Sequence, residues 1–188
     1  MFCGSSAGAS AVFFDTARAL GAELARRDIT LVYGGGRVGL MGALADAALM
    51  AGGEVIGIIP ELLLLREVAH RDLPDLRVVA SMHERKAHMA ELSDAFLALP
   101  GGFGTFEELC EIITWNQLGI YNKPIGILNV SGYYDPLLAL FDRAVEQRFV
   151  RAEHQRLVIS HTEIATMLDH LESYVPPLLD KWIDNSIS

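Results

Sequence analysis

Hydrophobic positions along this chain fall into two alternating rhythms. One is a helical spacing: Phe13, Ala17, Leu20 and Leu24 recur at i, i+4, i+7 and i+11, so they line one face of an amphipathic helix. The other is a short unbroken apolar run closed by glycine or proline. Ile29 to Tyr33 ends in Gly34-Gly35-Gly36, Val55 to Ile59 ends at Pro60, and Ala95 to Leu99 ends at Pro100-Gly101-Gly102. Such runs predict strands buried on both faces.

In order, the chain opens with the tail of a first strand, Met1-Phe2-Cys3, running into the small-residue loop Gly4-Ser5-Ser6. That strand is so short that the natural N-terminus reads as trimmed or mis-assigned. The alanine-rich segment after Gly42 predicts a helix to about Met50, stopped by Gly52-Gly53. Glu61 to Pro74 reads as a loop with a helical turn, followed by a short strand near Arg77 to Ala80. Ser81 and Glu84 have capping-box spacing and open a helix to about Leu92. A helix from Thr105 to about Leu118 follows the central strand, with Gly119 as its C-cap. Pro124 to Val130 is the next strand. Leu137, Phe141, Ala144 and Val145 mark a helix, Leu157 to Ser160 a last strand, and Ile164, Met167, Leu168 and Leu171 a final helix. The tail from about residue 175 is peripheral, with Trp182 and Ile183 as docking residues.

Strand and helix alternate throughout. That pattern predicts an α/β chain of one domain over residues 1–188, Rossmann-like and doubly wound, with a mostly parallel sheet of about six to seven strands and helices on both faces. Ligands of such folds bind beyond the carboxyl ends of the strands. Three glycine-bearing loops reach that edge: Gly4-Ser5-Ser6, Gly34 to Gly42, and Gly101 to Thr105.

The third loop carries the most chemistry. Gly101-Gly102-Phe103-Gly104-Thr105-Phe106-Glu107-Glu108 places bare backbone, then a hydroxyl and two carboxylates, at a helix start. Unpaired N–H groups and the positive end of the helix dipole favour an anion there, most often a phosphate. Thr105 and Glu108 also fit a capping box, which would account for that carboxylate without any ligand. Gly34, Gly36 and Gly39 satisfy the dinucleotide fingerprint G-x-G-x-x-G, but the acidic ribose ligand is misplaced: Glu54 precedes its strand and Glu61 follows beyond Pro60. A nicotinamide oxidoreductase is therefore the lesser reading. Met82, Arg85, Lys86 and Met89 share one helical stripe, which is either a solvated face or a means of delivering Arg85 to the ligand edge.

Composition narrows the classes. A formal net charge of −9 argues against a nucleic-acid surface. The six histidines show no recurring ligand spacing, so no metal is expected. Two cysteines, Cys3 and Cys110, make no disulfide framework and point to a reducing compartment. No apolar run reaches membrane-spanning length, and a cytoplasmic protein is expected.

Taken together, Cys3-Gly4-Ser5-Ser6, Tyr33 to Gly36 with Gly39 to Gly42, Met82 to Lys86, Pro100 to Thr105 with Glu108, and Thr114-Trp115 with Gln117-Leu118-Gly119 closely resemble the Lonely Guy (LOG) family. These are cytokinin riboside 5′-monophosphate phosphoribohydrolases, often mislabelled as lysine decarboxylases. The resemblance implies that Arg85 and Glu108 are the catalytic pair. It also implies substrate contacts at Glu67, Arg85, Lys86, Gly102 to Glu108 and Thr114. Gly101, Gly35, Gly36 and Ser5 join them as expected loop contacts. A nucleoside 5′-monophosphate substrate, no cofactor and a homodimer are expected; the alternative is a related Rossmann-like carrier that holds a nucleotide or cofactor without cleaving it, against which the presence of both Arg85 and Glu108 counts. Tyr121 departs from the histidine that many members carry after the Q-L-G-I run. The decarboxylase label finds no Schiff-base lysine or pyridoxal site to support it.

Overall fold

The computed structural model describes residues 1–64 and 68–177. The alternation seen in the sequence forms as α1 (Ala11–Arg26), β1 (Leu31–Tyr33), α2 (Gly39–Met50), β2 (Val55–Pro60), α3 (Glu61–Leu64), β3 (Asp75–Val79), α4 (Met82–Leu92), β4 (Phe96–Ala98), α5 (Phe103–Gln117), β5 (Ile125–Leu128), α6 (Asp135–Glu146), α7 (Ala152–Gln155), β6 (Val158–His161) and α8 (Ile164–Glu172). Glu67, Trp182 and Ile183 lie outside the described residues. No helix among the described residues is long and apolar enough to cross a membrane.

Every strand pairing is parallel, but the expected sheet of six to seven strands does not form as one unit. It is divided into two three-stranded sheets, β1-β2-β3 and β4-β5-β6. Between them runs the Met1-Phe2 segment. Phe2 N–H donates to Leu97 O (2.9 Å), Leu99 N–H donates to Phe2 O (2.9 Å), and Met1 N donates to Val32 O (2.8 Å). One residue pair, Phe2 with Ala98, makes a bridge there, too few to join the sheets into a ladder. The division falls at this single bridge, with three strands on either side.

Pleating distributes the apolar runs between two faces. Leu31, Tyr33, Leu97, Leu99 and Leu128 join a cluster with side chains of α1, α2 and α8. Val32, Phe96, Ala98, Ile125 and Ile127 join Met89, Ala90, Leu109 and Ile112 of α4 and α5. Helices thus cover both faces, as the pattern predicts. α1 and α2 meet at Gly21, where a Cβ would lie 2.2 Å from the Leu44 carbonyl oxygen. Glycine there is what lets the two backbones touch.

Local signals decide the α4 start as expected. Ser81 Oγ accepts from Glu84 N–H (3.1 Å), and Glu84 Oε2 accepts from Ala80 N–H (2.7 Å). The start of α5 differs. Gly102 is its N-cap, and the helix begins at Phe103 rather than Thr105. Thr105 is therefore inside the first turn, and the Thr105–Glu108 capping box does not exist.

Candidate active site

The strands' carboxyl ends open onto a cavity of about 370 Å³. Two helix N-termini frame it: Val38 and Met41 from the start of α2, and Gly102 to Thr105 from the start of α5. Gly4 ties the two together, since its N–H donates to Pro100 O (3.0 Å) and its carbonyl accepts from Leu40 N–H (3.1 Å). Gly39, at φ +61°, packs its Cα where a Cβ would fall 2.4 Å from Ser5 and Ser6 backbone atoms. No larger residue could hold those two loops so close.

Arg85 and Glu108 meet in this cavity. Both are buried, each about 8% exposed, with Arg85 Nη1 at 3.5 Å from Glu108 Oε1. The guanidinium rests against Gly34, where a Cβ would sit 1.7 Å from Nη2. The glycine string after β1 is thus partly a seat for arginine. Arg85 Nε is buried without an acceptor. A buried charged donor left unpaired is costly, and an anionic ligand would relieve it. Burial pushes the Glu108 carboxyl above the ordinary carboxylate range, with the Arg85 guanidinium pulling against that rise. Burial likewise pushes the neighbouring Cys3 thiol up to about 12, which removes it as a nucleophile.

Of the residues expected from the sequence, the cavity gathers Ser5, Gly36, Arg85, Gly102, Phe103, Gly104, Thr105 and Glu108. Its lining does not include Gly35, Lys86, Gly101, Phe106, Glu107 or Thr114. Lys86 is drawn to α5 instead, where Nζ lies 2.5 Å from Glu107 and 2.9 Å from Glu111. Burial pulls its pKa down, but those two carboxylates outweigh burial and hold the ammonium above its ordinary value. Gly101 is structural, because a Cβ there would fall 2.1 Å from Thr105 Oγ1. Phe106 packs with Tyr133 and Tyr134, and exposed Thr114 bonds its own helix at Cys110 O (2.8 Å). Glu67 lies outside the described residues.

Sequence reasoning passed over the cavity's apolar members, Val38, Met41, Ile59, Leu63 and Val68, because each also reads as ordinary core. Gly4-Ser5-Ser6-Ala7-Gly8 does have nucleophile-elbow spacing, which would point to a serine hydrolase. Ser6 is exposed and its Oγ accepts from Gly8 N–H (3.4 Å), while no histidine lines the cavity among the described residues, so nothing activates it. Glu54 bonds Thr30 Oγ1 (3.0 Å) at the amino end of β2, the far edge from the cavity, where it cannot hold a ribose there. Tyr121 packs on Trp115, 5.8 Å between ring centroids, and is likewise absent from the lining.

A family profile described as "Possible lysine decarboxylase" matches residues 41–171. The chain is 52% identical over 174 residues to a probable cytokinin riboside 5′-monophosphate phosphoribohydrolase of Oryza sativa subsp. japonica, covering 93% of this chain and 78% of that protein. It is 50% identical over 176 residues to a cytokinin riboside 5′-monophosphate phosphoribohydrolase of Arabidopsis thaliana, covering 94% and 83%. The chain belongs to the LOG family. The decarboxylase description of the profile finds no counterpart in this LOG-family site. Neither described lysine lines the cavity: Lys86 is held by two carboxylates, and Lys123 donates to Ala90 O (2.9 Å). The fold is shared more widely. A molybdenum cofactor binding protein from the phototrophic bacterium Rippkaea orientalis aligns with TM-score 0.69 at 22% identity, covering 91% of this chain and 93% of that one. The molybdenum cofactor carrier protein of Chlamydomonas reinhardtii aligns with TM-score 0.65 at 20% identity, covering 88% and 91%.

Gly102 and Gly104 separate ligand demands from folding demands. A Cβ at either would meet nothing within 4 Å, and Gly104 lies within the helix. Folding alone therefore favours alanine at 104, by up to about 1 kcal/mol. Gly104→Ala is expected to keep or raise the melting temperature and yet weaken the binding of adenosine monophosphate, measured by calorimetry, at least tenfold. A variant that binds as tightly as the wild type would show that the bare backbone serves no ligand.

Proposed function

We propose that this chain hydrolyses the N-glycosidic bond of adenine nucleoside 5′-monophosphates, N6-prenylated ones included, releasing the free base (a cytokinin or adenine) and ribose 5-phosphate. The observation that carries the reading is the buried Arg85–Glu108 pair, 3.5 Å apart, beside the glycine-lined N-termini of α2 and α5. The 52% identical relative named as such a hydrolase supports it. The whole chain acts as one catalytic domain, and its two free thiols suit a cytoplasmic, reducing setting.

The chemistry follows from the charges. When the bond from C1′ to the base nitrogen breaks, its electron pair leaves with the base, and positive charge develops on the sugar. A Glu108 carboxylate beside C1′ stabilises that cation. Arg85 stabilises the departing base or anchors the nucleotide. Water then supplies hydroxyl to C1′ and its remaining proton to the base, so one water is consumed per turnover. The 5′-phosphate occupies the α5 N-terminus, where backbone N–H groups and the dipole meet it. A cofactor carrier of the same fold is the second reading. It leaves the deeply buried carboxylate beside Arg85 without a task.

Arg85→Ala and Glu108→Gln are expected to lower kcat by at least about a thousandfold, with circular dichroism unchanged. Glu108 must be ionised to act, so activity falls as pH drops through its raised pKa, and the acid limb lies above the ordinary glutamate value of about 4.3. Removing Arg85 removes a lowering influence. The acid limb of residual activity in Arg85→Ala should therefore move to higher pH; a shift to lower pH would contradict the pairing.

Comparing isopentenyladenosine with its 5′-monophosphate tests the phosphate site. The nucleoside should lose several orders of magnitude in kcat/KM, since charge-assisted hydrogen bonds contribute about 1.5–3 kcal/mol each. Equal values would remove the helix N-termini from the mechanism.

The chain further assembles as a homodimer. Its support is the apolar surface left exposed at Leu118, Ile120, Leu140 and Phe149. Light scattering at micromolar concentration should give about twice the 20.5 kDa of one chain; a 20.5 kDa species alone would refute the dimer.

A further inference from the structure

The glycine string after β1 carries a gradient across the cavity. At Gly34 a Cβ would strike the Arg85 guanidinium; at Gly35 it would meet Ile59 Cβ at 3.1 Å; at Gly36 it would meet Met41 Cε at 2.6 Å and Sδ at 3.2 Å, with Val68 O next at 3.7 Å. Over two residues, a chain length of at most about 7 Å, the nearest neighbour passes from the Arg85 guanidinium to the Met41 thioether, with the Val68 carbonyl oxygen behind it. Among the described residues, Val38, Met41, Ile59, Leu63 and Val68 form the aliphatic part of the lining. The polar groups are Arg85, Glu108, Ser5 and the α5 N-terminus, with Cys3 and Phe103 lining the cavity as well.

We propose that Met41, laid over Gly36 and flanked by Ile59 and Val68, is the surface that receives the substituent on the N6 atom of the base, and that it sets the preference for an alkyl-substituted over an unsubstituted adenine nucleotide. The inference rests on the hydrolase reading above and extends it to base selectivity. With C1′ beside Glu108 and the phosphate at α5, a purine lies with its far edge away from the charged pair. The span from Gly34 to Gly36 is comparable to the long axis of a purine, which brings the N6 position to Met41. A methionine suits that task. It is only half-buried, it has no polar hydrogen to satisfy, and its unbranched thioether adapts to an irregular alkyl chain. An adenine carrying a free amino group would leave the Met41 thioether and methyl without an alkyl partner, which lowers its binding relative to the substituted base.

The test is the ratio of kcat/KM for isopentenyladenosine monophosphate to that for adenosine monophosphate. Met41→Gln should lower the ratio at least about tenfold, the scale of one misplaced methylene or polar group in such a pocket. Met41→Leu, equally apolar, should keep it within about threefold of the wild type. Gly36→Ala should also lower it, because the new methyl drives the Met41 Cε into the cavity. If the wild type cleaves both nucleotides and Met41→Gln loses them in equal proportion, or loses neither, the proposal is wrong and the hydrolase reading stands. A folded wild type inert toward both overturns the hydrolase reading, and this proposal with it.

Discussion

Opposite charges held between α4 and α5 are what the rest of the structure is arranged to support. α4 packs against the first three strands and α5 against β4, so Arg85 and Glu108 reach each other across the line where the two sheets part. Lys86, the next residue of α4, repeats the same crossing to Glu107 and Glu111, on either side of Glu108 in α5. Desolvating an arginine and a glutamate is expensive, and replacing such a pair by apolar groups is often neutral or stabilising. Here the buried Nε of Arg85 without a partner and the raised Glu108 pKa show that the pair is under electrostatic tension. Tension of that kind is usual where a site is shaped for something other than its own stability.

The glycines divide into two kinds once that pair is in view. Gly34, Gly39 and Gly101 are bare because the protein's own atoms occupy the space: a guanidinium, the Ser5-Ser6 backbone and the Thr105 side chain. Gly102 and Gly104 are bare with nothing of the protein against them. Only the second kind leaves open space beside the bare backbone. In sequence the two kinds look alike, which is why G-x-G-x-x-G after β1 suggested a dinucleotide while its main occupant is Arg85.

What was legible in the sequence was local. Apolar runs, the Ser81 cap and the two motifs that carry Arg85 and Glu108 each depend on residues a few positions apart; the runs and the Ser81 cap form as read, whereas the Thr105–Glu108 box gives way to a helix start at Phe103. The parting of the sheets was not legible, since it depends on how many backbone groups Met1 and Phe2 can offer to β1 and β4. Nor was the fate of Lys86. Its position beside Arg85 suggested the ligand, while two carboxylates more than twenty residues away claimed it. The apolar wall was hidden for a related reason: Met41, Ile59 and Val68 come from three separate segments, and none is unusual where it stands.

The narrow join at Phe2 has a thermodynamic corollary. Gly34 to Gly36, Met41 and Arg85 belong with one sheet, whereas Gly102 to Glu108 belong with the other, so a nucleotide bound as proposed would touch both and act as a clasp between them. Occupancy at a hundred times the dissociation constant adds about 2.7 kcal/mol against any opening that destroys the site. A nucleotide held as proposed would thus guard the join against proteases, with a protection that grows only as the logarithm of its concentration.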